Sequence, residues 1–411
     1  MRLRKRSVQA AQLPFESTGA VGYRLDRAAG VAVRTVQLRA GGHVESVAPL
    51  PDAEGDAHSL FDLGWLRSTA PPPFPAERGE CRMVDLFSGC GGLTFGVAEA
   101  CRALGLRPVA VMAVDVSRAA LDAYGRNMPG AALRCEGVEA VLDGGAEIGE
   151  VDVLMGGPPC QGHSDLNNHT RRDDPKNRLA LLMARAAELW RPAHVIVENV
   201  PAALNDRGGV VDELGARLEG LGYRLARAVL NAADFGVAQR RRRLFIVASR
   251  LRRPNLGLLA ESFHAPGRAL GWAIGDLAGL EGEGVYDTGA NHYEANRRRI
   301  DYLFDHGLHD LPDEQRPDCH RLKRHAYKAV YGRLRWEQPA PTLTGGFGST
   351  GQGRFVHPSR RRTLTPHEAA RVQFFPDCWR FDEPRRRTLQ ELIGNAVPPK
   401  LGYVIGLELL R

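Results

Sequence analysis

From Arg82 onward the sequence alternates short apolar runs with amphipathic runs, and this rhythm limits how the chain can fold. Residues 83–87, 109–116, 151–155 and 194–200 predict buried strands, and residues 225–231 and 243–249 predict a late pair. Helices are predicted after the first strand to about Leu104, after the second to about Asn127, and over residues 179–190. Repeated βα units of this length predict an α/β fold with a parallel, doubly wound sheet. Ligands bind such sheets at the carboxyl ends of the strands.

Other stretches do not follow this rhythm. Residues 1–80 contain short alternating runs at 31–38 and 43–47 and end in the stiff Pro71–Pro75 segment, which predicts a β-rich extension of unknown role. Residues 251–360 are rich in Gly, Pro, Arg and aromatic residues without a strong period, and predict a smaller, irregular domain. Helices return at 365–374 and 389–410, so residues 361–411 are predicted to complete the domain formed by residues 81–250.

The composition indicates a cytoplasmic protein. No apolar run is long enough for a transmembrane helix, and no apolar segment follows the basic start, so neither a membrane span nor a signal peptide is predicted. The seven cysteines are an odd number and form no CxxC pair, which favours a reducing compartment. Cys319, His320 and His325 are the nearest approach to a metal cluster, but they lack a second half, so no metal is predicted.

Positive charge is concentrated in one part of the chain. The formal net charge is +7, yet residues 316–362 contain eleven Arg and Lys against two acidic residues, a local net charge of +9. A concentration of this kind predicts a face that binds a polyanion. The total charge supports this prediction less well. Most of the basic residues are Arg and the chain is also rich in Ala and Gly, a composition that a GC-rich coding bias would produce.

A glycine-rich turn follows the first predicted strand, in the segment Asp85–Gly96. Glycines there let a ligand approach the backbone and the start of the next helix. Thr94 occupies the third glycine position of the dinucleotide fingerprint, so that fingerprint is not met. Asp115 ends the second strand, where a carboxylate can accept both hydroxyls of a ribose. The pair favours a nucleoside-type cofactor over a purely structural turn.

Three further segments lie at predicted strand ends. Cys160 stands in Gly-Gly-Pro-Pro-Cys-Gln-Gly-His-Ser, where two prolines before it and polar residues after it favour a nucleophile over a buried structural thiol. Glu198 directly follows an apolar strand. The run Gln239–Arg243 leads arginines into another strand, which directs alternate ones toward the same edge of the sheet. The alternative interpretation of this run is a set of charged residues exposed to solvent, with no functional role.

Taken together, these segments resemble the DNA cytosine-5 methyltransferase family, in family order over about residues 82–411. Asp-Leu-Phe-Ser-Gly-Cys-Gly-Gly is similar to the family's S-adenosylmethionine loop, Gly-Pro-Pro-Cys-Gln to its catalytic loop, Glu-Asn-Val to its catalytic glutamate motif and Gln-Arg-Arg-Arg-Arg to its substrate-side arginine motif. Residues 362–377 resemble the segment that organises the target-recognition domain, and Ile-Gly-Asn-Ala-Val-Pro-Pro at 393–399 resembles the C-terminal motif.

The resemblance implies a Rossmann-like methyltransferase domain, S-adenosylmethionine as cofactor and double-stranded DNA as substrate. It implies Cys160 as the nucleophile that adds to carbon 6 of a flipped-out cytosine, Glu198 as the residue that serves ring N3, and Arg241 and Arg243 as residues that hold the base. The implied cofactor-binding residues are Asp85, Phe87, Gly89, Gly91, Asp115, Asn395 and Val397. Residues 251–360 become the predicted target-recognition domain. We further expect a monomer on DNA in the bacterial cytoplasm, with a cognate restriction endonuclease as a possible partner.

The sequence departs from the family pattern in two places of its core. His163 replaces an apolar residue that the family usually has two places after the Gln of the catalytic loop. Glu136 stands where the family normally offers an aspartate to the adenine amino group. The alternatives are a tRNA-directed cytosine-5 methyltransferase and an inactive DNA-binding regulator, while a nicotinamide oxidoreductase fits the sheet but not Thr94 or the Pro-Pro-Cys motif. The recognition sequence and the role of residues 1–80 remain open.

Overall fold

The structure is a computed structural model, and it describes residues 16–17, 19–73, 78–159, 175–206, 208–280, 282–321 and 330–411. Three residues singled out from the sequence, Cys160, His163 and His325, lie outside the described residues. The other predicted site residues lie within them.

The N-terminal segment forms a four-stranded antiparallel sheet and one helix. These elements are β1 (Glu16–Ser17), β2 (Val21–Asp26), β3 (Val31–Gln37), β4 (His43–Pro49) and α1 (Ala57–Leu66). The strands pair in the order β1-β2-β3-β4. The segment is β-rich as predicted, but α1 was not predicted. Asp56 starts this helix, because its carboxylate accepts the backbone N–H of Ser59 at 2.8 Å.

Alternating strands and helices follow, as the sequence predicts. They are β5 (Glu80–Leu86), α2 (Gly92–Ala103), β6 (Arg107–Val114), α3 (Arg118–Asn127), β7 (Ala132–Arg134), α4 (Val138–Asp143), β8 (Val153–Gly156), α5 (Leu182–Trp190), β9 (His194–Asn199), α6 (Val210–Gly220), β10 (Arg224–Asn231), β11 (Gln239–Arg240) and β12 (Arg242–Ser249). Seven of these strands form one sheet in the order β10-β12-β9-β8-β5-β6-β7.

One strand corrects the prediction of a purely parallel sheet. β12 pairs antiparallel with both β9 and β10, whereas the pairs among β5, β6, β7, β8 and β9 are parallel. The connection from Asn231 to Arg242 is too short for the crossover that a parallel neighbour needs, so the chain turns back beside β10. The start of β12 therefore lies at the edge where the parallel strands end.

The central strands are apolar throughout because both faces of the sheet are covered. Successive residues of β5 alternate between two cores: Met83 packs in one, while Val84 and Leu86 pack in the other. The same alternation runs through β12, where Phe245 and Leu244 face opposite cores. Buried strands of this kind read as continuous hydrophobic runs, which is the pattern seen in the sequence.

The described part of the chain after β12 contains α-helices of four to twelve residues and one two-residue strand. They are α7 (Leu256–Phe263), α8 (Leu270–Ile274), α9 (Glu294–Asp305), α10 (Asp318–Arg321), β13 (Ala340–Pro341), α11 (Pro366–Val372), α12 (Arg386–Asn395) and α13 (Pro399–Leu410). The helix predicted over 389–410 is two helices, because Pro398 and Pro399 interrupt it. α13 packs against α2 over glycines: a Cβ at Gly96 would lie 2.1 Å from the carbonyl oxygen of Pro399.

The N-terminal segment is joined to the rest of the chain by buried charges. Asp62 of α1 accepts from Lys400 of α13 at 2.8 Å and from Arg268 at 2.9 Å. Arg34 of β3 lies 2.8 Å from Glu99 of α2 in a second buried ion pair. One core cluster also contains side chains from both parts, including Phe61 and Val97. The described helices include none that is both long and apolar enough to cross a membrane.

Candidate active site

A cavity of about 550 Å³ opens at the carboxyl edge of the central sheet. This volume is in the range of pockets that hold a small ligand or cofactor. Every predicted cofactor residue except Gly91 lines it. The cavity is lined by residues from several separate parts of the chain, including Asp85, Phe87, Asp115, Glu198 and Asn395.

The glycine-rich turn forms one wall of the cavity. Phe87 has a φ of 57° and Gly89 a φ of 52°, so the chain leaves β5 through left-handed backbone, which is unusual for a phenylalanine. A Cβ built on Gly89 would meet no atom within 4 Å, so this glycine leaves open space beside the backbone. Gly91 precedes α2 at φ 89°, and a Cβ there would lie 2.8 Å from the ring of Tyr124. Gly91 therefore shapes the turn.

Thr94, which breaks the dinucleotide fingerprint, has a structural partner in the buried Asp85. Its hydroxyl donates to Oδ2 of Asp85 at 2.5 Å and lies 3.2 Å from the hydroxyl of Tyr124. Burial raises the pKa of the Asp85 carboxyl to about 7, since the hydrogen bond from Thr94 offsets only part of the lost hydration. The cavity wall thus contains a carboxyl that exchanges its proton near neutral pH.

Asp115 holds the glycine-rich turn against the end of β6. Its Oδ2 accepts the backbone N–H of Gly89 at 2.8 Å, and its Oδ1 accepts that of Ser117 at 2.8 Å. Each carboxylate oxygen has a second lone pair, and the side chain lines the cavity. It can therefore still accept hydroxyls from a ligand.

Glu198 and Arg243 form an ion pair at the same edge. Nε of Arg243 lies 2.8 Å from Oε1 of Glu198, and both side chains are mostly buried. The pair forms because antiparallel β12 begins where β9 ends. Burial raises the pKa of Glu198, and the attraction of Arg243 and Arg241 offsets this only in part, so the pKa stays above its usual value. A carboxyl of this kind can hold a proton for transfer.

The segment that leads to Cys160 lies beside Glu198. A Cβ built on Gly157 would lie 3.3 Å from Oε2 of Glu198, so the chain leaves β8 in contact with this carboxylate. Pro159 lines the cavity, and the amide of Asn199 lies 3.5 Å from the carbonyl oxygen of Pro158. Cys160 itself lies outside the described residues.

Arg241 differs from Arg243 in its surroundings. It is 1% exposed, and its guanidinium donates to the carbonyl oxygen of Leu343 at 2.7 Å. Arg241 does not line the cavity, whereas Glu198, whose pKa it lowers, does. Arg241 therefore connects the segment between β11 and β12 to the segment after β13.

The C-terminal motif closes the opposite wall. Asn395 and Val397 line the cavity where α12 ends, as do Leu392 and Glu391, which the motif comparison did not single out. Val116 was also missed: it is 77% exposed, lines the cavity and directly follows Asp115. Its place directly after the predicted ligand-binding Asp115 is the signal in the sequence that could have found it.

Residues 81–411 match the family model described as C-5 cytosine-specific DNA methylase. The chain belongs to this family. It is accordingly a DNA cytosine-5 methyltransferase, as the sequence predicted, built on the α/β fold of that class.

Relatives of this methyltransferase extend across bacteria and plants. It is 46% identical over 396 residues to the type II methyltransferase M1.BsuMI of Bacillus subtilis, covering 92% of this chain and 93% of the relative. It is 29% identical to DNA (cytosine-5)-methyltransferase 1A of rice over 79% of this chain and 28% of that one. The first similarity covers more of the chain than residues 81–411, so it includes part of the N-terminal segment.

Solved structures share the fold of the methyltransferase. A putative DNA modification methyltransferase from an Escherichia coli prophage has a TM-score of 0.55 at 22% identity, covering 80% of this chain and 98% of that one. The Dnmt2 methyltransferase of Schizosaccharomyces pombe has a TM-score of 0.58 at 17% identity, with the same coverage of 80% and 98%.

The basic segment of the methyltransferase, residues 316–362, is less positive in the structure than in the sequence. Several of its arginines are held by carboxylates: Arg316 by Asp313, Arg321 by Asp318, Arg354 by Asp310, Arg361 by Asp301 and Asp305, and Arg362 by Glu368. Within the described part of the segment, Arg335 and Arg360 are exposed and have no carboxylate partner. In the described part of the segment, these two arginines therefore offer exposed positive charge that no carboxylate offsets.

Proposed function

We propose that this methyltransferase transfers a methyl group from S-adenosylmethionine to carbon 5 of cytosine in a specific duplex DNA sequence, with Cys160 as a covalent nucleophile. The observation that carries the proposal is the Glu198–Arg243 pair, which lies between the segment leading to Cys160 and the cavity lined by the predicted cofactor residues. It brings an acid, a cation and a ligand pocket to one edge of the sheet.

The cavity fits S-adenosylmethionine in its donor groups. Asp115 can accept the ribose hydroxyls, exposed Val116 offers an apolar surface to the adenine ring, and Glu136 on the cavity wall can accept from the adenine amino group. The buried Asp85 suits a cationic ligand, because a nearby positive charge stabilises its ionised form. When bound, this cofactor supplies an activated methyl group on a sulfonium sulfur.

The chain's own residues activate the cytosine. The Cys160 thiolate adds to carbon 6, which breaks the aromaticity of the ring and raises the electron density at carbon 5. Glu198 donates a proton or hydrogen bond to ring N3, so the charge that develops during this attack is neutralised. Arg243 holds Glu198 and is placed to donate to the O2 of the base. After methylation a base removes the proton from carbon 5, and Cys160 leaves as the aromatic ring re-forms.

Arg241 has a positioning role in this proposal. Its side chain is buried against the carbonyl oxygen of Leu343, so it holds the segment after β13 beside the arginine strand. This differs from the role that the family resemblance implies, direct contact with the base.

The target cytosine must leave the duplex to reach this edge, at a cost of about a few kcal/mol. We assign sequence reading to residues 251–360, catalysis and cofactor binding to 81–250, and completion of the catalytic domain to 361–411. The exposed Arg335 and Arg360 support phosphate contacts by residues 251–360. The relative M1.BsuMI is named a type II methyltransferase, which supports a role in a restriction-modification system with a cognate endonuclease in the bacterial cytoplasm.

A mechanism-based trap tests the chemistry. Fluorine at carbon 5 cannot leave as a cation, so duplex DNA with 5-fluorocytosine at the target should hold the enzyme as a complex that survives denaturing electrophoresis. Trapping should require S-adenosylmethionine and disappear in Cys160→Ala, whereas Glu198→Gln should slow it severely.

The same experiment separates the alternatives. An RNA methyltransferase would be trapped only on fluorinated RNA, and an inactive regulator would give no adduct on either. If Cys160→Ala is trapped as well as the wild type, the assignment of the nucleophile is wrong. Base-resolution methylation mapping in a host that expresses the protein identifies the target sequence, which the fluorinated duplex must then contain.

A further inference from the structure

Two buried glutamines, Gln239 and Gln373, connect β11 to the end of α12. Nε2 of Gln239 donates to Oε1 of Gln373 at 2.7 Å, and Nε2 of Gln373 donates to the carbonyl oxygen of Ile393 at 2.6 Å. Both side chains are 0% exposed. Buried amides must satisfy their hydrogen-bonding groups within the protein, so this chain of bonds is tightly constrained.

The first end of this Gln239–Gln373 relay holds a segment within the proposed recognition domain, at Leu343. Oε1 of Gln239 accepts the backbone N–H of Leu343 at 2.7 Å, while Arg241 donates to the carbonyl oxygen of Leu343 at 2.7 Å. β11 and β13 pair just before this point, with Gln239 opposite Ala340. The peptide of Leu343 is therefore fixed on both sides by the arginine motif.

The second end lies at the cofactor cavity. Ile393 lies in the last turn of α12, and Asn395 and Leu392 of the same turn line the cavity. Gly394 packs on the backbone after Leu343, because a Cβ there would lie 2.2 Å from the carbonyl carbon of Thr344. The last turn of α12 thus contacts both the recognition segment and the cavity.

The direction of the relay is fixed by the backbone groups at its two ends. The N–H of Leu343 requires an acceptor, so Oε1 of Gln239 must face it and Nε2 must face Gln373. The carbonyl of Ile393 requires a donor, so Nε2 of Gln373 must face it. One orientation of each amide satisfies all three bonds, and two apolar side chains of the same size would provide none of them.

We propose that the Gln239–Gln373 relay couples the cofactor cavity to DNA binding, by fixing residues 342–345 relative to the last turn of α12. A ligand that orders either end favours the arrangement of the other, so each ligand should raise the affinity for the other by the same factor. Both glutamines are positioning residues. The inference rests on the proposed function, since it requires the cavity to bind the cofactor and residues 251–360 to bind DNA.

The test measures binding of S-adenosylhomocysteine to the full chain by calorimetry, alone and with a saturating duplex that carries the mapped target. The wild type should bind it about tenfold more tightly with DNA than without. Gln373→Met, which keeps the size but removes both bonds, should reduce this ratio to within about twofold of one. Its affinity for S-adenosylhomocysteine without DNA should change less than the ratio does.

Gln373→Glu adds a readout that packing alone would not change. A protonated carboxyl can still donate to Ile393 and accept from Gln239, whereas an ionised one repels the carbonyl oxygen. Coupling in this variant should therefore fall as pH rises from about 6 to 9, while coupling in the wild type stays level over that range. Gln315→Met makes the same substitution on an exposed turn of the proposed recognition domain; it is the matched control and should keep the full ratio.

Three results overturn the relay. They are a wild-type ratio of one although both ligands bind, full coupling in folded Gln373→Met, and equal loss of coupling in Gln315→Met. If the wild type binds neither S-adenosylhomocysteine nor the duplex, the proposed function fails and the relay with it. The wild-type measurement alone can refute the relay even if the Gln373 variants do not fold.

Discussion

Replacing Asp62 by asparagine tests how strongly the N-terminal segment is bound to the rest of the chain. Asp62 is 3% exposed, and its carboxylate is surrounded by Lys400 at 2.8 Å, Arg268 at 2.9 Å and His58 at 3.3 Å. Burial alone would raise its pKa, but the attraction of Lys400 and Arg268 holds it well below its usual value. The asparagine is nearly the same size, so the change removes charge rather than volume.

The expected loss is large because the cations stay buried. Removing one partner of a buried ion pair leaves an uncompensated charge and costs about 3–5 kcal/mol in the free energy of unfolding. Urea unfolding of the full chain, followed by circular dichroism, measures this loss. Asp52→Asn is the matched control, since Asp52 is exposed and its replacement should leave the free energy of unfolding nearly unchanged.

The pH dependence has a defined sign. A carboxyl with a depressed pKa in the folded state stabilises that state above its unfolded pKa, and this stability is lost as pH falls through the folded pKa. The gap between wild type and Asp62→Asn should therefore be constant at neutral pH and shrink below about pH 4. A loss under about 1 kcal/mol at neutral pH would refute the reasoning, because the ion pairs of Asp62 would then contribute little to holding the N-terminal segment against the rest of the chain.

Three shorter predictions concern the site and the DNA face. Arg243→Gln removes the strongest attraction that lowers the pKa of Glu198, so the alkaline limb of the kcat profile should move to higher pH while kcat falls about a hundredfold. Near pH 6, where burial keeps Asp85 largely protonated, binding of the cationic cofactor should release up to one proton, seen as a dependence of the calorimetric enthalpy on the buffer. Arg335→Ala should weaken DNA binding on all sequences and reduce the slope of log K against log salt by about 0.9, whereas Arg361→Ala, whose charge is already paired, should leave the slope unchanged.

Each of these has a contradicting result. An unchanged alkaline limb in Arg243→Gln would mean that another group sets it. Proton release that persists in Asp85→Asn would come from a different residue. Equal slopes in the two arginine variants would place the DNA face away from Arg335.

Local pattern was sufficient for the core of the fold. Strands β5, β6, β8 and β9 lie within a few residues of their predictions, because residues buried on both faces of a sheet must be apolar and the polar residues that follow mark where each strand ends, whereas the short, partly exposed β7 was not predicted. The carboxyl ends of adjacent strands meet at one edge, so predictions for separate motifs placed Asp115 and Glu198 around one cavity.

The direction of β12 could also have been derived. Its connection to β10 is too short for a crossover, which leaves an antiparallel pair. The ion pairs of the N-terminal segment could not have been derived from the sequence, since Asp62 and Lys400 are 338 positions apart and nothing in the neighbouring residues marks them as partners. The charge count could not account for such pairs either: it included arginines such as Arg361, whose partners Asp301 and Asp305 lie before the counted segment.

Glu198 and Asp62 differ in a way that suits only Glu198 to the acid role proposed for it. Both are buried beside arginine, yet the pKa of Asp62 is held well below its usual value and that of Glu198 lies above it. Asp62 has direct bonds to two cations, Lys400 and Arg268, which stabilise its charge more than burial destabilises it and so hold its pKa low. Among the described residues, Glu198 has an ion pair with Arg243 alone, and burial outweighs the attraction of Arg243 and Arg241. One direct ion pair orients the Glu198 carboxyl while its pKa stays raised, and the proton transfer proposed for Glu198 requires that balance.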